Sequence, residues 1–249
     1  MARPTLQGNF TSLVSDHSWE SSVATIDAPK RAAIRKMTAN PLQPASSCRT
    51  ALLLIDVQQG LNSSHGFYGA ERSTPDFESN VSALLSAARK YNSAAPPSES
   101  VFIVHVFHKS TNPRSPLHPS SAGMNFMPCA LPSAGEVVVS KSTHSAFVNT
   151  QLEKILREQD VRQLIIGGVT TDHCVSTSTR MASDLGIVDR QSDDGESSRG
   201  ILALISDATA CFNKGGFDAE TVHAVNIASL EEEFAQVVAT RDVLQTVFC

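Results

Sequence analysis

The stretch LIIGGVTTDHCVSTSTRMASDLG, residues 164–186, carries the strongest indication of the fold in this 249-residue chain. LIIGGV is an apolar run typical of a buried strand, and CVSTSTRMASDLG has the small-residue pattern of a helix packed on a sheet. Cys174 stands at the junction between the two. Because the free amides and the dipole of a helix N-terminus favour a thiolate, we expect a reactive thiol that is alkylated selectively well below about pH 8. The alternative is a buried, inert cysteine.

Two other apolar runs end in charged residues. ALLLIDVQQG, residues 51–60, places Asp56 at the end of a predicted strand, and EVVVSKSTHSAF, residues 136–147, places Lys141 at the end of another. Taken alone, the aspartate is also typical of a turn and the lysine of a solvated surface. Open α/β sheets, however, bind ligands at the carboxyl ends of their strands. An acid, an amine and a thiol at one edge predict a cysteine nucleophile with its own base, with the lysine stabilising both anions.

Apolar runs and helical patterns alternate along the chain. The predicted strands are at 51–57, 101–107, 136–140, 161–169 and 201–206, and the predicted helices are at 76–92, 145–159, 174–186 and 217–229. Repeated βα units of this kind indicate an α/β fold with a mainly parallel central sheet flanked by helices.

The chain resembles the isochorismatase-like cysteine hydrolases, the superfamily that includes nicotinamidases, carbamoyl-sarcosine and ureidoacrylate amidohydrolases, and true isochorismatases. Three motifs carry the resemblance, in the family's order: LLLIDVQQG, KSTHSAFVNTQLEKIL and LIIGGVTTDHCVSTSTRMASDLG. The resemblance implies a three-layer sandwich of Rossmann-like topology. It also implies that SDATACF and then VHAVNIASLEEEFAQVVATRDVL form the last strand and a closing helix.

The resemblance assigns roles to individual residues. It implies Asp56 as general base, Lys141 as the charge-stabilising partner and Cys174 as nucleophile. It further implies a cis peptide bond between Val169 and Thr170, beside which the backbone amides of Thr170 and Cys174 would bind the carbonyl oxygen of the substrate.

The chemistry divides within the superfamily. Enzymes that act on the vinyl ether of isochorismate need no covalent intermediate, and some lack the cysteine. Because Cys174 is present, the resemblance favours cleavage of a C–N bond in a small amide, ureide or lactam-like metabolite through a Cys174 thioester. The alternatives are an isochorismate-type hydrolase without a covalent intermediate and a non-catalytic binding protein on the same fold.

Six residues are candidates for the substrate pocket. Aromatic rings among them would stack on a flat substrate, whereas core packing is the alternative for a phenylalanine and the start of a helix is the alternative for either histidine. The candidates are Gln58, Phe67, Tyr68, His144, Phe147 and His173.

The sequence predicts no metal and no other cofactor. Nicotinamidases add a metal site that contains an Asp-x-His pair, and this sequence has no such pair. On a strand, His105 and His108, three positions apart, would point to opposite faces, and His118 follows in a proline-rich loop. We interpret these histidines as structural or substrate-lining residues.

The chain divides into two parts. We predict a hydrolase domain at residues 48–249 and, before it, an extension at residues 1–47 that carries Trp19, the only tryptophan. The extension either wraps the body or a neighbouring subunit, or is a partly disordered arm. Within the domain, DRQSDDGESSRG at 189–200 is predicted to be an exposed polar loop inserted relative to the family.

Charge and cysteine content limit the partners. A net charge of −5 provides no basic stripe for nucleic acid and no polybasic anchor for a membrane, so we expect a small-molecule substrate and neither of those partners. The five cysteines form no C-x-x-C pair, and the N-terminal segment lacks the apolar core of a signal peptide. We therefore expect free thiols and a cytoplasmic protein, and by analogy with the superfamily a homo-oligomer.

Overall fold

The computed structural model describes residues 40–62, 67–191 and 197–249. Its strands are β1 (Thr50–Ile55), β2 (Phe102–His108), β3 (Val137–Lys141), β4 (Gln163–Val169), β5 (Arg190–Gln191), β6 (Ser197–Ser198), β7 (Ile201–Ala210) and β8 (Gln236–Val238). Six of them form one sheet in the order β3-β2-β1-β4-β7-β8, and every pairing in it is parallel. The parallel sheet predicted from the apolar runs is confirmed.

Helices cover both faces of this sheet. They are α1 (Gln59–Asn62), α2 (Phe77–Ala94), α3 (Leu152–Glu158), α4 (Ser176–Asp184), α5 (Ala219–Leu230) and α6 (Thr240–Thr246). Side chains of β1 alternate between two apolar cores. Leu52 and Leu54 pack in the core that contains buried residues of α2, whereas Leu53 and Ile55 pack in the core that contains those of α3 and α4. The described residues therefore form the predicted three-layer α/β sandwich.

Two predicted helices differ in extent from the observed ones. The helix predicted at 145–159 begins only at Leu152, because serine and threonine side chains before it bond to nearby backbone groups. Thr143 Oγ1, for example, donates to Ser145 O at 3.0 Å. The expected closing helix over 222–244 is wrong: α5 ends at Leu230, Glu232 adopts a φ of 64°, and β8 and α6 follow.

The order of the strands places a crevice beside β1. The chain runs from β1 outward to β2 and β3, then returns to add β4 on the other side of β1. Ligands of open α/β sheets bind at such a reversal, outside the carboxyl ends of the strands. Gly168 allows β4 to approach β1 closely there: it has a φ of 124°, and a Cβ added to it would lie 2.0 Å from Ile55 O.

Part of the predicted extension lies in the described residues. Leu42 and Ala45 are buried in the core beside α2, and Ala45 N donates to Val247 O at 3.0 Å. The predictions for residues 1–39, including Trp19, lie outside the described residues. In the predicted loop at 189–200, β5 and β6 pair as a short antiparallel ribbon, and residues 192–196 are likewise not described.

Among the residues described, no helix is both long enough and apolar enough to span a bilayer.

Candidate active site

Asp56, Lys141 and Cys174, which the sequence places at or after predicted strand ends, have side chains that meet at one point. Lys141 Nζ lies 2.6 Å from Asp56 Oδ2 and donates to Cys174 Sγ at 3.2 Å. It also donates to Thr143 O at 3.0 Å. The structure thus brings together an acid, an amine and a thiol around a single ammonium group.

Asp56 directly follows β1, and its own backbone conformation ends the strand. Its φ of 53° lies in the left-handed region, which aspartate tolerates better than most residues, and its amide donates to Val106 O at 2.8 Å. The side chain is fully buried. Among the described residues, no backbone amide or hydroxyl donates to the carboxylate, so its oxygens are available to accept a proton.

Cys174 follows β4 in a single π-helical turn, Thr171–Val175, which leads into α4. The thiol is not at the first residue of a regular helix, where the expectation of a stabilised thiolate placed it. Burial and the negative charge of Asp56 raise the pKa of Cys174 to about 12, and the Lys141 ammonium offsets only part of this effect. These surroundings oppose the expected thiolate: they favour a neutral resting thiol, so that nucleophilic attack requires a base.

Replacing Asp56 with Asn is expected to make Cys174 more reactive toward iodoacetamide while abolishing turnover. The aspartate raises the pKa of the thiol, so its removal lowers that pKa and increases the thiolate fraction at a given pH. The base for catalysis is lost at the same time. Peptide-mapped alkylation rates between about pH 6 and pH 9 measure the first effect. Cys129, whose raised pKa has burial and Glu78 as its main causes, is the internal control. Slower alkylation of Cys174 in this variant would contradict the argument.

One group of side chains has the composition of a metal site. Ligand atoms of Asp56, His108 and Cys174 all lie within 4.8 Å of one another. The Lys141 ammonium, however, lies 2.6 Å from the carboxylate, 3.3 Å from His108 Nδ1 and 3.2 Å from the thiol. A metal ion would have to displace this cation from its buried ion pair. Lys141 thus supplies the positive charge that a bound metal ion would supply in a metal site.

A pocket of about 140 Å³ opens above this group. Of the six pocket candidates from sequence, Phe67, Tyr68 and His144 line it, and His144 Nδ1 lies 3.9 Å from Cys174 Sγ. The other lining residues are Asp56, Leu61, His108, Ser115, Pro116, Leu117 and Cys174. The walls therefore combine apolar and aromatic side chains with polar groups at the base, as is typical of sites for small organic ligands.

Three of the six candidates do not line the pocket, and two of these, Gln58 and Phe147, have internal roles. Gln58 is fully buried and holds strand ends together: its Nε2 donates to His108 O at 3.1 Å, and its Oε1 accepts from His108 N at 2.8 Å. Phe147 packs in the apolar core that contains α3 residues. Both side chains meet structural demands of the fold, and their contact with a substrate stays a prediction.

His173 lies beside the pocket in a separate polar cluster. Its ring centroid is 5.4 Å from that of His144, and its Nδ1 is 3.5 Å from the Tyr68 hydroxyl. Lys214 pairs with Asp172 and lies 2.8 Å from His173 Nε2. Burial lowers the pKa of His173, because desolvation disfavours the charged ring. No sequence pattern indicated Lys214, since it lies in the loop between β7 and α5.

The remaining sequence candidates are placed as follows. The peptide bond between Val169 and Thr170 is cis. His105 is fully buried, with its Nε2 2.8 Å from Glu136 Oε2, and so lies apart from His108. His118 is outside the pocket wall, with its Nδ1 2.7 Å from Ser120 Oγ.

Comparison with known proteins identifies a family. Residues 50–242 match the model of the isochorismatase domain. The isochorismatase family protein YrdC of Bacillus subtilis is 32% identical over 77% of this chain and 92% of its own length. An isochorismatase-family structure from Chromobacterium violaceum superposes with a TM-score of 0.68, at 32% identity, over 83% of this chain and 96% of that one. A shorter segment, 20% of this chain and 21% of the relative, is 43% identical to ureidoacrylate amidohydrolase RutB of Yersinia enterocolitica.

Proposed function

The chain belongs to the isochorismatase family of hydrolases, and we propose that it cleaves a C–N bond in a small amide, ureide or lactam-like metabolite. The observation that carries the proposal is the position of the Lys141 ammonium, in contact with both a buried carboxylate and a thiol at the base of a pocket. The segment shared with a ureidoacrylate amidohydrolase supports the same class of substrate. Cys174 is then the nucleophile, Asp56 the general base and Lys141 the stabilising charge.

The first half of the proposed reaction forms an acyl-enzyme. Asp56 removes the proton of the Cys174 thiol as Sγ bonds to the substrate carbonyl carbon, and the carbonyl oxygen becomes an oxyanion. The backbone amides of Thr170 and Cys174 are proposed to bind that oxyanion. When it collapses, the C–N bond breaks, and the departing amine takes the proton from Asp56. A thioester on Cys174 remains.

The second half releases the acid. Asp56, again a carboxylate, takes a proton from a water molecule whose oxygen bonds to the thioester carbon. Collapse of this second oxyanion breaks the C–S bond and returns the proton to sulfur. The Lys141 ammonium contacts both groups, so that whichever of the carboxylate and the sulfur is anionic has a cation within contact distance.

A second candidate is hydrolysis of the isochorismate vinyl ether without a covalent intermediate. The neutral resting thiol favours it, because this chemistry needs an acid at the position of Asp56 and no thiolate. A non-catalytic binding protein is the third candidate. It leaves unexplained why an acid and an amine are held fully buried beside a thiol at the base of a pocket.

Intact-mass analysis tests the proposal directly. The protein is incubated with a panel of small primary amides, ureides and lactams, and in a separate arm with isochorismate. We expect a thioester adduct on Cys174 and release of an amine or ammonia with at least one panel member. Consumption of isochorismate alone, with no adduct, would instead establish the second candidate, and no turnover in either arm would favour the third.

Cellular location and assembly also remain proposals. All five cysteines are free thiols, which supports a reducing compartment such as the cytoplasm. The homo-oligomeric state stays a prediction, which size-exclusion chromatography with light scattering would test.

A further inference from the structure

His108 ends β2 directly beside the residue that ends β3. In the register of these two parallel strands, His108 is the partner of Lys141, so that the two side chains are neighbours on one face of the sheet. The imidazole forms part of the pocket wall. Nothing in the proposed reaction so far uses this ring.

The contact with Lys141 defines which ring nitrogen carries hydrogen. His108 Nδ1 lies 3.3 Å from Lys141 Nζ, and an ammonium group can only donate. Nδ1 must therefore accept, and the hydrogen of the neutral imidazole must be on Nε2. Four acceptors, namely Nδ1, the Asp56 carboxylate, Thr143 O and Cys174 Sγ, surround an ammonium with three hydrogens. These four contacts share the three hydrogens, and in every arrangement the lone pair of His108 Nδ1, not an N–H, faces the ammonium.

The surroundings also keep this ring neutral. Burial and the positive charge of Lys141 lower the pKa of His108, and the nearby His144 acts in the same direction. The Asp56 carboxylate and the Thr143 carbonyl oppose this effect but do not reverse it. These surroundings thus favour the neutral ring, which has one N–H to donate.

We infer that His108 is a substrate-binding residue that accepts from Lys141 through Nδ1 and donates from Nε2 to an acceptor atom of the substrate. The preferred substrate is then an amide with a second acceptor, such as a carbonyl, carboxylate or ring nitrogen, beside the bond that is cleaved. The identity of the substrate rests on the proposed function, whereas the hydrogen-bonding state of the ring does not.

Two substitutions test the acceptor role of Nδ1 and the donor role of Nε2 separately. In His108→Asn, the amide oxygen replaces Nδ1 as acceptor for Lys141, and the Nε2 donor is lost. In His108→Gln, the longer side chain places an amide N–H near the position of Nε2, and the acceptor for Lys141 is lost. If the ring served only to fill space, the two variants would bind ligands alike.

The first experiment is long-range ¹H–¹⁵N NMR on histidine-labelled wild-type protein, with the His108 signals assigned by their loss in either variant. We expect an unprotonated Nδ1 and a protonated Nε2 from about pH 7 to pH 8. Hydrogen on Nδ1, or a ring that becomes charged within this range, would overturn the inference. This measurement does not depend on turnover. A protein with the expected ring that hydrolyses no amide would refute the proposed function and leave the assignment of His108 standing.

The second experiment measures binding of pyruvamide and isobutyramide, which differ in a ketone oxygen beside the amide, to the Cys174→Ala protein. Because it can accept one more hydrogen bond, pyruvamide is expected to bind roughly fivefold to tenfold more tightly than isobutyramide. The preference should persist in the combination with His108→Gln and disappear with His108→Asn. Equal binding of the two amides in the parent, or no detectable binding of pyruvamide, would refute the donor role.

Discussion

Replacing Cys174 with Ala or Ser is expected to lower kcat/KM for amide hydrolysis by at least about 10³-fold and to eliminate the acyl-enzyme. Alanine removes the attacking atom. Serine keeps a hydroxyl, but an alcohol is a much weaker acid than a thiol, and Asp56 is positioned to remove a thiol proton. The neighbouring Lys141–Asp56 ion pair is unchanged in either variant, so the fold should persist.

The measurement combines steady-state kinetics with intact-mass analysis on the amide found in the panel. Cys48→Ala is the matched control, because Cys48 is a half-buried thiol that lies outside the pocket, before β1. It should keep near wild-type kinetics. Circular dichroism and urea unfolding establish that all variants are folded. If Cys174→Ala kept near-native hydrolysis, the nucleophile assignment would fail, and a non-covalent mechanism would have to replace it.

The sequence was sufficient to single out the three residues of this candidate site, because long apolar runs and the charged or thiol residues that follow them coincide. Long apolar runs mark buried parallel strands, and parallel strands end at a common edge. The residues that follow β1, end β3 and follow β4 are therefore brought together by the sheet alone. Asp56, Lys141 and Cys174 could be singled out without knowledge of which strands are neighbours.

The protonation state of the thiol could not be predicted in this way. Local sequence indicates a helix start, which favours a thiolate, whereas the pKa depends on burial and on the charge of Asp56. Burial arises from packing of segments far apart in the chain. The same reason applies to Gln58 and Phe147, whose positions in the sequence resemble pocket positions although the completed fold uses them internally.

His108 shows a different limit. The two-residue periodicity correctly separates His105 from His108, but the partner of His108 is determined by the register between β2 and β3. That register is a tertiary property. Once the register is known, His108 and Lys141 are seen to be neighbours. His108, considered from the sequence as a possible metal ligand, then lies in the pocket wall.

Replacing Lys141 with Met is expected to lower the free energy of unfolding by about 3–5 kcal/mol at neutral pH, because it leaves the Asp56 carboxylate buried without its counter-charge. Both side chains of the pair are fully buried. Methionine preserves most of the length and apolar contact of the lysine chain, so the loss reports the charge. Acid protonates the stranded carboxyl and removes its charge. The deficit of the variant relative to wild type should therefore shrink as the pH falls and be largest above neutrality.

Urea unfolding followed by circular dichroism at several pH values measures this effect. The double variant Asp56→Asn with Lys141→Met is the matched control, since it removes both charges and should recover much of the lost stability.

The alkylation rate of the Cys174 thiol provides a second readout, in which the two single variants should change in opposite directions. Lys141 lowers the pKa of Cys174 and Asp56 raises it, so Lys141→Met should slow alkylation of Cys174, whereas Asp56→Asn should accelerate it. A single Lys141→Met variant as stable as wild type at neutral pH, or alkylation changes of the same sign in the two variants, would mean that the ammonium does not hold the carboxylate and the sulfur as the geometry indicates.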